Sequence, residues 1–335
     1  MGKVDTNVAN AKVATTPKTQ SRFVREFLKN YPLFIMVLPG VLLVATFAYA
    51  PMVGLIMAFK KFNLYDGMFG SPFCGLDNFK FLFLDRASLL IRNTLGYNLV
   101  FIICGMILAL ALAIALSELR GTKCKKIYQT IIIMPHFLSI VIVSYLVYAF
   151  LNPVAGTVNN TILPALGILA KNPDGGNTYS WAMWYNIPKI WPYVLIFVNF
   201  WKGVGYSSIV YVASIAGIDQ EMYEAAVIDG ASKWQQITEI TIPMLIPLMI
   251  ILGTLNVGKI FNADFGLFYQ VPRNQGALKS VTEVIDTYVY QKKIEGASSV
   301  GPATAAGLFQ SICSFILVLT TNAIVRKVDP ERSLF

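Results

Sequence analysis

Residues 219–243, DQEMYEAAVIDGASKWQQITEITIP, form the one dense polar run between two long apolar segments of this 335-residue chain. Asp219 is placed to cap a first helix, with Glu221 in its first turn near the positive end of the dipole. Gly230 is a natural stop, because the residue past a helix end often adopts the left-handed conformation. Ser232 with Gln235 three residues later reads as a capping box, so a second helix restarts at once. The expectation is two short helices across a glycine corner, a compact knob; the plainer alternative is an ordinary solvated loop.

The apolar segments on either side decide the class of protein. The chain is 56% hydrophobic and 13% charged, with a mean hydropathy of +0.59, whereas soluble domains carry about 25% charged residues. It is expected to be an all-α, polytopic membrane protein. The net charge of +9 does not point to nucleic acid. The basic residues cluster beside apolar segments, where orientation signals belong. Six spans are expected: 33–59, bent or broken near Pro39 and Pro51; 94–116, uncharged throughout; 127–151; 190–218; 243–261; and 303–325. Each approaches or exceeds the roughly 20 residues that cross hydrocarbon, where only a helix satisfies its own backbone.

Orientation comes from short basic loops. Lys12, Lys18, Arg22, Arg25 and Lys29 precede the first span, Arg120, Lys123, Lys125 and Lys126 follow the second, and Arg326 and Lys327 follow the sixth. With six spans these fall on one face, the cytoplasm, together with both termini. The 219–242 loop lands there too, although Asp219, Glu221, Glu224, Asp229 and Glu239 oppose a single Lys233. That acidity suits a protein-docking surface better than an orientation signal. Residues 1–20 read as a disordered cytoplasmic tail, and 21–30 as an amphipathic helix lying on anionic lipid. The first apolar run is too long for the core of a cleavable signal peptide. The organisation expected is thus 1–30 tail, 31–326 transmembrane domain and 327–335 cytoplasmic tail. On the outer side, an interfacial helix is expected at 78–84, turn residues and aromatics at 152–189, and a re-entrant or capping loop at 262–302.

A more specific pattern lies inside the polar run: Glu224-Ala225-Ala226, three residues, Gly230, nine residues, Ile240, one residue, Ile242-Pro243. It resembles the signature loop of ABC importer permeases, with Ile242 standing where that family usually has Leu. The resemblance extends from about Tyr31 across nearly the whole chain. Trp201 to Tyr206 (WKGVGY) and Val284 to Tyr290 (VIDTYVY) look like the subgroup importing oligosaccharides, the LplB/YteP-type polysaccharide permeases. It implies the type I importer permease fold, with 219–242 as a cytoplasmic coupling helix docking into a cleft of an ATPase. The residues assigned to that contact are Glu221, Glu224, Ala225, Ala226, Asp229, Gly230, Ile240 and Pro243. Glu224 would make a charge-assisted contact, and Gly230 the corner. The partners implied are a second, related permease in a heterodimer, two ATPase subunits that use ATP and Mg, an extracellular solute-binding lipoprotein, and an oligosaccharide. No cofactor is expected on this chain.

Polar side chains inside a span are costly and usually face a cavity or another helix. Asn199, Lys202 and Tyr206 share one face of the fourth span. Asn256, Lys259 and Asn262 recur every third residue along and just past the fifth. With Trp201 they form the expected sugar-binding set, and Phe261 is a further aromatic face. The two lysines would suit a carboxylate, hence a cargo bearing uronic acid. The plainer alternative is that asparagines join helices and lysines snorkel to the interface.

Other candidates fall away. Gly253 to Lys259 (GTLNVGK) matches the first seven positions of a phosphate loop, but Ile260 replaces the magnesium-binding hydroxyl and no strand precedes it. Cys74, Cys104, Cys124 and Cys313 show no paired spacing. His136, beside Pro135, reads as a packing histidine. Asn159-Asn160-Thr161 fits a glycosylation sequon by chance. No catalytic set is visible, so an enzyme is not expected. A secondary carrier would want an intramembrane carboxylate; none lies in the expected spans, although Asp264 is just outside the fifth. A membrane glycosyltransferase would need interfacial acids. Within the importer class, glycerol phosphate or polyol cargo is the alternative to sugar.

Overall fold

A computed structural model describes residues 29–83, 85–119, 121–166, 183–296 and 299–330. The expected tail at 1–20, nearly all of the amphipathic segment, the turn at 172–176, Trp181 and the last five residues lie outside the described residues. The chain divides into two units, Met1–Gly54 and Leu55–Phe335. Within the first lies helix α1 (Tyr31–Val44), with Pro39 inside it. A π turn at Ala45–Tyr49 and a 3-10 stretch at Ala50–Phe59 carry the apolar run on to Phe59. The expected irregularity near Pro51 is therefore a tightening of the helix.

Among the described residues of the second unit the regular structure is helical, apart from an isolated bridge between Lys60 and Phe73. The main elements are α2 (Asp85–Glu118), α3 (Thr122–Ile133), α4 (Ile140–Leu151), α5 (Trp191–Ala216), α6 (Gln220–Ile228), α7 (Lys233–Gln236) and α8 (Ile242–Val257). An insert of α9 (Phe265–Gln270), α10 (Lys279–Thr282) and α11 (Ile285–Ile294) precedes α12 (Val300–Val328). Five segments are long and apolar enough to cross a membrane: Tyr31–Phe59, Ala87–Glu118, Pro188–Ala216, Lys233–Val257 and Val300–Lys327. The bent α3–α4 pair makes a sixth when its two helices are counted as one broken span.

Two expectations need adjusting. The third span is not straight: α3 with its 3-10 tail (Met134–Phe137) meets α4 at 95°. Pro135 sits at the start of that tail, Leu138 and Ser139 are extended, and the Ser139 hydroxyl accepts a hydrogen bond from the Val141 amide to start α4 afresh. A fresh cap after a proline is a corner, not a flexible joint. The fifth span begins about ten residues early. A π turn at Ile237–Thr241 joins α7 to α8 without a break, so the second knob helix is the first turn of the span.

The core is made by close approach. Ala109 and Ala113 of α2 are fully buried against Tyr211 and Val212 of α5, small residues letting two helices meet. Gly205 of α5 lies so near α3 that a Cβ there would sit 2.1 Å from the Ile132 carbonyl oxygen. A second cluster, with Trp191, Leu195, Leu267, Phe268 and Val284, packs the insert beneath α2, α4 and α5. The expected loop at 262–302 is thus, in its described residues, a folded helical insert.

Candidate functional site

The knob is built from its backbone outward. Asp219 is extended, and its carboxylate accepts the Glu221 amide at 3.0 Å. At the far end of α6, Gly230 takes φ +81°. The Gly230 amide then donates to the Val227 carbonyl and the Ala231 amide to the Ala226 carbonyl, at 3.1 and 2.8 Å. That pair of bonds closes the helix as a Schellman motif, which needs the left-handed residue. Ser232 and Gln235 form the expected reciprocal box, the Ser232 amide donating to the Gln235 side chain at 2.8 Å. Buried Gln236 donates to the Ala231 carbonyl, and the Tyr223 and Thr241 hydroxyls meet at 2.9 Å, so the corner is braced from inside.

What faces outward is the predicted contact set. Glu221, Glu224, Ala225, Asp229, Gly230 and Pro243 are exposed, while Ala226 and Ile240 are partly covered. Among the described residues none of these acids is ion-paired. Lys233 reaches Glu118 at the end of α2 instead, at 3.4 Å; an exposed pair of that kind contributes little. The residue-by-residue reading missed that Val227, Ile228 and Trp234 also stand in the open, 59%, 85% and 71% exposed. An exposed apolar group rimmed by carboxylates has the make-up of a protein-docking surface.

A cavity of about 440 Å³ opens between α2, α5 and the end of α8. Asn199, Tyr206, Asn256, Lys259 and Asn262 all line it. Trp201 and Lys202 are not among its lining residues. Two positions from Asn199 is more than half a helical turn, and Trp201 lines a separate apolar hollow with Leu146, Phe150 and Phe197. Lys202 donates to the His136 carbonyl at 2.9 Å. Phe261 packs on Phe309 instead, with ring centres 5.9 Å apart. His136 stacks flat on Tyr206 at 4.1 Å, the packing role its sequence context implied, so the corner of the broken span backs one cavity wall. The phosphate-loop look-alike is helical at Gly253, inside α8.

After Val257 the backbone leaves the α-helix, and this unwound stretch carries Lys259, Asn262 and Asp264 to the cavity. Side chains from three elements hold it. Asn98 of α2 donates to the carbonyls of Ile260 and Asn262, at 2.8 and 3.2 Å. Gln310 of α12 donates to the Phe261 carbonyl at 2.8 Å, and also to Asp286 of α11 at 3.1 Å. Asp286 accepts the Ala263 amide at 2.7 Å. Burial pushes the Asp286 carboxyl above its ordinary range, although these two hydrogen bonds oppose the shift. Asp264 caps α9 through the Leu267 amide. The signal for this clamp was in the sequence: Asn93, Thr94, Tyr97 and Asn98 make a polar stripe along one face of α2. Asn93 reaches the Glu283 carbonyl, Tyr97 the Val281 carbonyl, and Thr94 accepts the Ile285 amide. Reading that span only for charge passed over them.

Comparison with known proteins agrees with this geometry. A family model described as binding-protein-dependent transport system inner membrane component matches residues 102–332. Protein LplB of Bacillus subtilis (strain 168) is 34% identical over 301 residues, covering 89% of this chain and 90% of that one. The polygalacturonan/rhamnogalacturonan transport system permease protein YteP of the same organism is 30% identical, covering 93% of each. Among solved structures, a bacterial ABC transporter involved in the import of the acidic polysaccharide alginate matches with a TM-score of 0.80 and 32% identity, over 92% of this chain and 100% of the matched one. The alginate transporter in complex with an alginate pentasaccharide-bound periplasmic protein matches at 0.79. A helical chain with five long apolar spans and a sixth broken one, an exposed corner and a cavity with a few convergent polar groups thus belongs to the binding-protein-dependent transport system inner membrane component family, the membrane-embedded permease subunits of ABC importers.

Proposed function

We propose that this permease moves oligosaccharides, including uronic acid chains, inward across the cytoplasmic membrane. The corner at 219–242 and both termini face the cytoplasm, and the 262–302 insert faces outward. A second, related permease completes the pore as a heterodimer. Two ATPase subunits dock below the pair, and one of them grips this corner through Glu221, Glu224, Ala225, Ala226, Asp229, Gly230, Ile240 and Pro243. A solute-binding lipoprotein delivers the sugar. ATP and Mg act on the ATPase subunits, not here.

One observation carries the reading. The two helices that present Asn199, Tyr206, Asn256 and Lys259 to the cavity are the same two that the exposed corner joins. A push on the corner therefore reaches one cavity wall through continuous helix into α8 and the other across the short 217–219 link into α5, and the cargo biases the same element from the other end. The cavity chemistry suits a sugar: amides for hydroxyls, the Tyr206 ring for an apolar face and Lys259 for a carboxylate. Asp264 shares the cavity, so its charge offsets part of the attraction. The alginate and polygalacturonan relatives favour acidic cargo.

Uptake by the assembled importer tests this. ATP-dependent uptake of an oligouronate that stops when the ATPase subunits are omitted is the expected result. Uptake driven by an ion gradient, without an ATPase, would instead make the chain a carrier.

A further inference from the structure

Arg273 sits where the cavity chemistry does not reach. It lies three residues past the end of α9, the short helix whose first residue follows the cavity aspartate, Asp264. Arg273 and Asn274 both adopt left-handed backbone, with φ of 55° and 49°. Arg enters that region only against steric resistance. The turn lays the guanidinium over the Tyr148 ring at 4.1 Å and near the Tyr145 ring at 5.5 Å. Among the described residues no carboxylate or carbonyl accepts from it, and the side chain is exposed. Its donor fork is held in place and unspent.

The surroundings make a recess of about 370 Å³, lined by Ser144, Tyr145, Tyr269, Gln270, Arg273 and Asn274. Of the two tyrosines that line it, Tyr145 and Tyr269, the second is backed by further rings; Tyr148, under the guanidinium, stands outside the lining. Tyr148 meets Tyr185 edge-on at 5.6 Å, and Tyr185 packs on fully buried Trp191 at 4.9 Å. Trp191 is fixed by its indole bond to the Trp184 carbonyl. On the other side, Tyr269 stacks on Phe265 at 4.9 Å and meets Tyr290 at 5.1 Å. A rigid recess with tyrosine faces, two side-chain amides and one free arginine fork matches the chemistry of a uronic acid unit. Its ring can lie on tyrosine, its hydroxyls can meet amides, and its carboxylate can take two parallel bonds from the fork.

We propose that this recess is a second sugar subsite, outside the cavity, which holds one carboxylate-bearing unit of an acidic oligosaccharide through Arg273. The proposal rests on the oligosaccharide reading above. It adds that charge is read in two places, joined by α9. The helix and its turn span about 10–15 Å at helical rise, so one extended chain of a few sugar units reaches both.

The test uses the complete importer in proteoliposomes, with tetragalacturonate or a tetrameric alginate fragment, each beside its carboxyl-reduced neutral form. Arg273→Gln is expected to raise KM for the acidic tetramer about tenfold, the loss typical of a charge-assisted bond. The maximal rate and the KM for the neutral form stay put. Arg273→Lys keeps the charge without the fork, and is expected to fall between. An equal KM change for acidic and neutral sugars, as from lipid contact or a disturbed fold, overturns the proposal. So does a change confined to the capture of unloaded solute-binding protein, which assigns Arg273 to that protein's docking face. If the wild-type importer takes up no sugar of either kind, the oligosaccharide reading fails and the subsite with it. If it takes up both and Arg273→Gln matches it throughout, only the subsite fails.

Discussion

The corner at 219–242 and the cavity segment at 258–264 sit at opposite ends of the same fifth helix, and they are shaped by opposite rules. The corner is self-contained: its cap, left-handed glycine and capping box bond to residues within five positions along the chain. The cavity segment makes local turns too, but local bonds do not hold it alone. Its carbonyls and amide are also held by Asn98, Gln310 and Asp286, which lie 23 to 164 positions from the residues they hold. The protein thus has a rigid handle written in one short stretch and a binding wall assembled from the whole fold. A substitution at the handle should leave the fold alone and disturb coupling; one at the wall should disturb folding or affinity.

Two glycines give the sharpest contrast. Gly205 needs no special backbone, but has a neighbour where its side chain would go. Gly230 has the reverse: φ +81° and open space. Gly205→Val should be the most damaging change, because overpacking against the α3 backbone costs about 1–3 kcal/mol or more and no flexible side chain can yield. The expected readout is little folded protein in the membrane. Normal accumulation would mean that α3 can retreat, and that the wall is softer than the contacts imply.

Gly230→Val comes next. A β-branched residue in left-handed backbone costs about 1–2 kcal/mol, and the strain falls where a new side chain meets open space. Membrane accumulation and sugar binding should hold, while transport collapses and ATP hydrolysis no longer follows it. The check is sugar moved per ATP hydrolysed. Wild-type coupling in this variant would remove the corner from the mechanism.

The same contrast explains what could be read beforehand. Caps, corner and outer polar face were legible because each is a rule about neighbours in sequence. The span count was legible from apolar length, but the 95° break in the third span was not. It depends on Ser139 restarting a helix after Pro135, a cap hidden within an unbroken apolar run. Five cavity residues were found through periodicity. Lys202 and Trp201 share their helix with two of them, yet lie elsewhere, because periodicity gives a face and not its neighbour. The Asn98, Asp286 and Gln310 clamp spans three elements, and no pattern in a single segment announces it.

At the cavity itself the two lysines should separate. Lys259→Met removes the charge that lines the cavity, and should weaken an acidic sugar about tenfold against its neutral counterpart. Lys202→Met removes the tether to the His136 carbonyl, and should lower thermal stability while leaving that discrimination intact. If Lys202→Met abolishes it instead, the cavity in the assembled importer differs from the one this chain forms by itself.

The clamp has a pH signature. Since burial raises the folded value for Asp286, its contribution to stability is fully present below the ordinary carboxylate value, and is lost as pH rises through the raised folded value. Mild acidification should therefore stabilise the wild type relative to Asp286→Asn, which has no such titration. Melting curves of both proteins across that range check it. A gap independent of pH would show that the carboxyl stays in one state throughout.

The smallest effect belongs to Ser232→Ala. The change removes the hydroxyl half of the box, a loss of about 1 kcal/mol at a helix start. The Gln235 side chain still receives the Ser232 amide, and α7 runs straight into the span, so the helix cannot unravel beyond its first turn. Exchange of the Trp234 and Gln235 amides should then quicken about fivefold, the kinetic equivalent of that energy. Amides within α8 should stay protected, and sugar binding unchanged. Exchange that stays slow would mean that the buried Gln236, through its bond to the Ala231 carbonyl, pins the turn from inside. Exchange that quickens into α8 would overturn the contrast itself, because the handle would then share its stability with the wall it moves.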